Sequence, residues 1–98
     1  MNADCTLGLD LGTSSVKAVV IDTGGKVLSQ ASAGYAVTSA MAGYAESEPA
    51  HWWDAVTACT REAVQAAGTQ PAAIGLSGQM HGLVLTSRAG GALRPALL

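Results

Sequence analysis

The sequence predicts an α/β fold built on a mixed sheet in β-β-β-α-β order. Three observations predict it. Residues 5–22 alternate apolar and small or polar side chains around a short Thr13-Ser14-Ser15 stop. Residues 49–67 carry an apolar stripe at helical spacing, and residues 72–77 form a short apolar run directly after it. A helix between the third and fourth strands returns the chain so that the fourth can join the same sheet, which yields two or three packed layers.

Cys5-Thr-Leu-Gly-Leu-Asp-Leu-Gly12 sets Leu7, Leu9 and Leu11 on one face and Gly8, Asp10 and Gly12 on the other, the period of a strand. Val16 to Asp22 contains the β-branched run Val19-Val20-Ile21, suited to a well-covered strand, so the two segments form a hairpin. Asp22-Thr23-Gly24-Gly25-Lys26 is a second turn, in which glycine supplies the positive φ that tight turns demand. Residues 27–38 alternate loosely, with Val27, Ser29, Ala31, Ala33, Tyr35 and Val37 on one side, and read as a third antiparallel strand near an edge. Residues 39–50 are small and polar without periodicity.

Ser47-Glu48-Pro49 starts the helix, because proline suits a first helical position and acidic groups favour the positive end of the helix dipole. Trp52, Val56, Cys59, Ala63 and Ala67 share one face, and Gly68 followed by Pro71 supplies a stop. The helix is therefore expected over 49–67. Residues 72–77 form a strand, 78–82 a glycine-bracketed loop, 83–86 another strand and 88–92 a turn. Leu93-Arg94-Pro95-Ala96-Leu97-Leu98 reads as a strand being entered, without turn, cap or polar tail, and predicts a domain that continues past Leu98. No internal repeat, low-complexity tract or linker interrupts the chain.

Composition narrows the classes. The chain has 98 residues, of which 12% are charged and 49% hydrophobic. Alanine inflates that second figure: Leu, Ile, Val and Phe together make up about a fifth of the chain, near the level at which disorder is suspected. Low net charge and clear periodicity argue for a folded domain, and the length leaves no room for two lobes with a cleft between them. The net charge is -2, with Lys17, Lys26, Arg61, Arg88 and Arg94 scattered along the chain, so no basic cluster marks a nucleic-acid or anionic-lipid footprint. Cys5 and Cys59 match no metal-ligand spacing and are expected as buried free thiols in a reducing compartment. No apolar run approaches the roughly 18 residues of a spanning helix, and the first residues lack a basic leader region. A soluble, cytoplasmic protein without nucleic-acid or membrane partners is expected.

Three motifs could carry chemistry. The hairpin Asp10-Leu11-Gly12-Thr13-Ser14-Ser15-Val16-Lys17 combines a strand carboxylate with a hydroxyl-rich turn. Turn amides and hydroxyls can hold phosphate oxygens, and the carboxylate can orient a divalent cation or its water shell. Neither glycine-rich nucleotide fingerprint fits, and by residue type alone an ordinary hairpin with Asp10 on a solvated face is favoured. The second motif, Gly78-Gln79-Met80-His81-Gly82, follows a strand end, where ligands of α/β sheets bind. It offers an amide, an adaptable thioether and an imidazole to a polyhydroxylated ligand. A lone histidine beside a turn is more often structural, and His51 takes that reading outright. In Trp52-Trp53 the two side chains point about 100° apart, so Trp52 joins the core stripe while the place of Trp53 stays open.

Taken together, LGLDLGTSSVKAVVID, YAESEP-xx-WW, GLSGQMHGLVL and LRPALL resemble the N-terminal part of the sugar kinases of the FGGY carbohydrate kinase family. The resemblance covers essentially the whole chain. Gln79-Met80-His81-Gly82 narrows it toward the branch that phosphorylates D-xylulose, with gluconate kinases the nearest competitor. It implies a ribonuclease-H-like lobe of the actin/Hsp70/hexokinase superfamily and an ATP-dependent, Mg²⁺-requiring transfer of a phosphoryl group to D-xylulose. It further implies that Asp10 lies near the metal and the transferred group, and that Gly12, Thr13, Ser14 and Ser15 face the ATP phosphates. Gln79, Met80 and His81 would line the sugar pocket. Lys17 stands where relatives often have a basic residue.

In that family the general base, the remaining phosphate loops and the adenine pocket come from sequence beyond the position of Leu98. Residues 1–98 are thus expected to be part of an N-terminal domain, with the rest of that domain and the whole C-terminal domain absent and the full-length protein a possible homodimer. The piece alone is expected neither to turn over nor to bind ATP, and to expose a strand edge and an apolar sheet face. A kinase for another sugar and a non-catalytic half-lobe that binds nucleotide or protein are the competing readings.

Overall fold

The computed structural model describes residues 4–78 and 82–98. Its elements are β1 (Cys5–Leu11), β2 (Ser15–Asp22), β3 (Val27–Gly34), β4 (Glu46–Ser47), α1 (Pro49–Ala67), β5 (Ala73–Gly78) and β6 (Ala96–Leu97). The main sheet has the order β3-β2-β1-β5. β1 and β2 pair antiparallel, as do β2 and β3, and β5 joins β1 in parallel. The expected hairpin, edge position of the third strand, helix and returning fourth strand are all present.

The alternation read from residues 5–22 decides which face is buried. Cys5, Leu7 and Leu9 from β1 and Val16, Ala18 and Val20 from β2 meet Ala55, Cys59 and Ala63 of α1, and all nine are nearly inaccessible. The register sets Leu7 beside Val20 and Leu9 beside Ala18, so the two strands present one apolar surface. Alanine fills three of these core positions, 18, 55 and 63. Small side chains let the helix approach the sheet until Ser29 Oγ on β3 donates to the Ala63 carbonyl at 2.5 Å. Cys5 and Cys59 are buried free thiols, as expected, and burial pushes the Cys59 thiol up from its ordinary range.

The helix starts at Pro49 and ends against Gly68, whose φ of 72° is left-handed and whose N–H donates to the Val64 carbonyl at 3.1 Å. Its start is as expected, with Glu48 at the N-cap beside Pro49; Glu48 makes no side-chain hydrogen bond there and no acidic residue lies in the first turn itself. Trp52 is only half-buried, and Ala55 takes the core position in its place. Trp53 is 68% exposed.

Three further departures have physical causes. The third strand stops at Gly34 rather than residue 38, because its partner β2 begins at Ser15; one last in-register bond runs from the Tyr35 N–H to the Ser14 carbonyl at 3.0 Å. A register shift between Val20 and Ile21 leaves Val27 half-exposed. Among the described residues, 83–86 make only isolated bridges, Leu83 with Leu97 and Thr86 with Ala92, and Leu83, Val84 and Leu85 are all exposed. The chain end does enter a strand, but in a second, two-stranded sheet with β4, a pairing that the aperiodic stretch 39–50 did not announce.

The helix packs against β2 and β3, and β5 lies beyond its cover. Ile74 and Leu76, register partners of Leu7 and Leu9, continue the core face yet are 63% and 74% exposed. The isolated chain is therefore expected to bind a hydrophobic dye, and replacing both residues by serine is expected to reduce that binding. A dye-silent parent chain with a sharp cooperative melt as a monodisperse monomer contradicts the expectation.

Candidate functional site

The parallel strands β1 and β5 end side by side, with Asp10 beside Ser77 and Leu11 beside Gly78. In open α/β sheets ligands bind outside such carboxyl ends. Asp10 is exposed on the face opposite the helix, and Ser77 Oγ donates to its Oδ1 at 2.9 Å. Lys17 is its cross-strand partner on β2. Around it lies a depression of about 390 Å³ that includes Gly8, Lys17, Gly75 and Ser77. The glycines keep it open: a Cβ at Gly8 would lie 3.1 Å from Val19 Cγ1.

The turn after Asp10 is more tightly organised than its composition suggests. The Gly12 N–H donates to the Ser15 carbonyl at 2.8 Å, so this amide closes the turn and is not available to a ligand. A Cβ at Gly12 would stand 3.2 Å from the Ser15 carbonyl, which accounts for glycine there. Thr13, Ser14 and Ser15 are exposed at the rim.

Tyr35, absent from the sequence-based set of site residues, holds this turn from the end of β3. Its hydroxyl donates to the Gly12 carbonyl and lies 3.0 Å from the Ser15 carbonyl, while its backbone N–H donates to the Ser14 carbonyl. Burial, with a smaller effect from the negative charge of Asp10, pushes its phenol above the ordinary range, so it remains a donor. Its ring meets Trp52, centroids 6.3 Å apart at 51°. Trp52 Nε1 donates to Ser47 Oγ at 2.7 Å, and Ser47 Oγ donates to the Ala36 carbonyl at 3.2 Å.

These groups wall a cavity of about 460 Å³, lined by Gly12, Thr13, Tyr35, Trp52, Ser77 and Gly78 among others. Gln79, Met80 and His81 lie outside the described residues; Gly78 and Gly82 on either side of them both line the cavity. The structure thus brings Asp10 and the Gly12–Ser15 turn to one end of the sheet. Ser77, Tyr35, Trp52 and Ser47 are additions to the site. Only strand register and tertiary packing reveal them, since each is an ordinary polar or core residue within its own segment. Among the described residues no group of three or more His, Cys, Asp or Glu is arranged to hold a metal, and no helix is long and apolar enough to cross a membrane.

The model of the FGGY family of carbohydrate kinases, N-terminal domain, matches residues 5–98. The chain belongs to this family. Among curated FGGY relatives, the xylulose kinase of Streptomyces rubiginosus is 43% identical over 93 residues, 94% of this chain and 19% of that protein. Among solved structures, the xylulose kinase from Rhodospirillum rubrum superposes with a TM-score of 0.91 at 33% identity, covering 95% of this chain and 20% of that one. The gluconate kinase from Lactobacillus acidophilus superposes with a TM-score of 0.92 at 30% identity, covering 98% and 20%. The chain therefore spans about a fifth of the length of the FGGY proteins it matches. Its mixed sheet is that of an FGGY N-terminal domain, the ribonuclease-H-like lobe expected from the sequence.

Proposed function

We propose that the protein carrying this chain is an ATP-dependent sugar kinase that phosphorylates D-xylulose to D-xylulose 5-phosphate, with residues 1–98 forming the leading part of its N-terminal domain. The observation that carries the proposal is the placement of Asp10 and the hydroxyl-lined turn at the common end of β1 and β5, in a chain whose family is that of carbohydrate kinases. Phosphoryl transfer is mostly positioning and charge stabilisation, and these residue types supply both.

In this reading Thr13, Ser14 and Ser15 receive ATP phosphate oxygens, while Gly12 shapes the turn by closing it. Asp10 orients the metal and its water shell near the transferred group, and Gln79, Met80 and His81 contact the sugar. A single carboxylate with one oxygen held by Ser77 fits Mg²⁺, which binds through one or two carboxylates, phosphates and retained waters rather than an all-protein cage. The ion supplies charge neutralisation on the phosphates. The general base and the adenine pocket lie in other parts of the full-length protein, which acts in the cytoplasm on a small-molecule sugar. D-gluconate is the competing substrate, supported by the likeness to a gluconate kinase.

A substrate panel on the full-length protein with ATP and Mg²⁺ tests the reading. D-xylulose is expected to be consumed with a kcat/KM well above those for gluconate and glycerol. A preference for gluconate reassigns the substrate, and no sugar-dependent ATP consumption overturns the kinase reading. The 98-residue chain alone is expected to give no turnover and no calorimetric ATP binding; turnover above blank, from material free of host kinase, contradicts the placement of the base elsewhere.

A further inference from the structure

We infer that Tyr35 is a positioning residue for the ATP-phosphate turn, and that Trp52 and Ser47 brace it in that role. The inference rests on the kinase reading above and adds to it a residue that acts through the turn.

Tyr35 follows directly on the end of β3. Within one four-residue turn, Gly12 and Ser14 each accept a hydrogen bond from Tyr35, one from its side chain and one from its backbone, and Ser15 offers its carbonyl to the same hydroxyl. A hairpin turn in isolation has only the Gly12-to-Ser15 hydrogen bond to define it, and the hydroxyls of Thr13, Ser14 and Ser15 would then sample several orientations. Groups that stabilise a developing charge contribute most when they are fixed beforehand and need not reorganise. Tyr35 fixes the carbonyl side of this turn, and Gly12 and Thr13 of the turn line the cavity that Tyr35 itself helps to wall.

The brace continues behind the ring. Trp52 packs on Tyr35 and is anchored through Nε1 to Ser47, which in turn donates to the carbonyl of Ala36, the residue after Tyr35. The path closes on itself: turn, Tyr35, Trp52, Ser47 and back to the chain at Ala36. It ties the helix entry to the turn, and it gives a use to the Tyr35 phenol and the Trp52 indole that core packing alone does not require, since both are only half-buried.

The test compares Tyr35→Phe, Tyr35→Leu and the parent as full-length proteins, by steady-state kinetics and by hydrogen exchange at the Gly12 amide. Tyr35→Phe keeps the ring contact with Trp52 and removes the hydroxyl. It is expected to lower kcat/KM for ATP by about tenfold, the scale of one lost turn-fixing hydrogen bond, with KM for the sugar unchanged and Gly12 exchange faster. Tyr35→Leu is expected to lose more on both measures, so that phenylalanine is a partial rescue. ATP kinetics of Tyr35→Phe equal to the parent overturn the inference, as does an equal rise in both KM values with a fall in thermal midpoint, the mark of general destabilisation. If the parent consumes no ATP with any sugar, the kinase reading fails and the ATP role with it. Gly12 exchange then still decides whether Tyr35 holds the turn, and unchanged exchange in both variants overturns that part as well.

Discussion

Asp10→Asn in the full-length protein is expected to lower kcat for sugar phosphorylation by about 100-fold or more, the scale of losing one preorganised charge-stabilising group from an active site. The substitution is chosen to separate charge from structure. Asparagine has the shape of aspartate and can still accept the Ser77 hydroxyl, which now sits 2.9 Å from Oδ1. Asp10 is exposed, with no core contact to lose, so the fold should tolerate the change. What disappears is the negative charge proposed to orient the metal. KM for the sugar should change little, because the sugar contacts are proposed for Gln79, Met80 and His81, and raising Mg²⁺ should recover part of the rate. A parent-like kcat removes Asp10 from the phosphoryl-transfer site.

Arg94→Ala is expected to loosen the small β4–β6 sheet. Glu46 is only 7% exposed, and Arg94 Nη2 lies 2.9 Å from its Oε2, the one salt bridge among the described residues. Removing the guanidinium leaves a carboxylate largely buried without its partner, a cost of several kcal/mol when the pair is fully buried. The Arg94 side chain is 38% exposed, so water screens part of the loss, and about 2 kcal/mol is the reasonable scale. Native-state hydrogen exchange reads this locally. The amides of Thr38, Glu46 and Leu98, bonded to Glu46, Thr38 and Ala45 carbonyls, should exchange about 30-fold faster, which is the same free energy expressed as a ratio. The double variant Glu46→Gln with Arg94→Met should lose less than Arg94→Ala alone, because no unpaired charge remains. Unchanged protection in Arg94→Ala means that the strand pairing does not depend on the salt bridge.

The contrast between Asp10 and Glu46 bears on what can be read from sequence. Local periodicity announced β1, β2 and α1 because each buries a regular set of its own residues: Leu7 and Leu9, Val16 and Val20, Cys59 and Ala63. Pro49 and Gly68 delimited the helix through backbone restrictions that hold in any context. Glu46–Ser47 and Ala96–Leu97 are too short to carry a period, and their partners lie some fifty residues away, so nothing local points to them. Residues 83–86 mislead in the opposite direction: Leu83-Val84-Leu85 has the composition of a strand, but its backbone partners among the described residues are scattered positions in 92–97.

The same division holds within the site. Asp10 and the hydroxyl turn are contiguous and therefore visible as a motif. Ser77 and Tyr35 gain their meaning only from register and packing, one because β5 aligns it with Asp10 and the other because β3 ends just where its phenol reaches the turn. By residue type both are unremarkable.

The parallel pairing of β1 with β5 also has a consequence for the order in which the molecule assembles. β1, β2 and β3 form a meander whose contacts span short stretches of chain, and such contacts close readily. The neighbour that Asp10 requires lies 67 residues further on. On a ribosome, which delivers the chain from its N-terminus, the meander and its hydroxyl turn can form while Ser77 is still unsynthesised. The helix is made before β5 can reach β1, so the carboxylate waits for its hydroxyl partner through most of the synthesis of this chain.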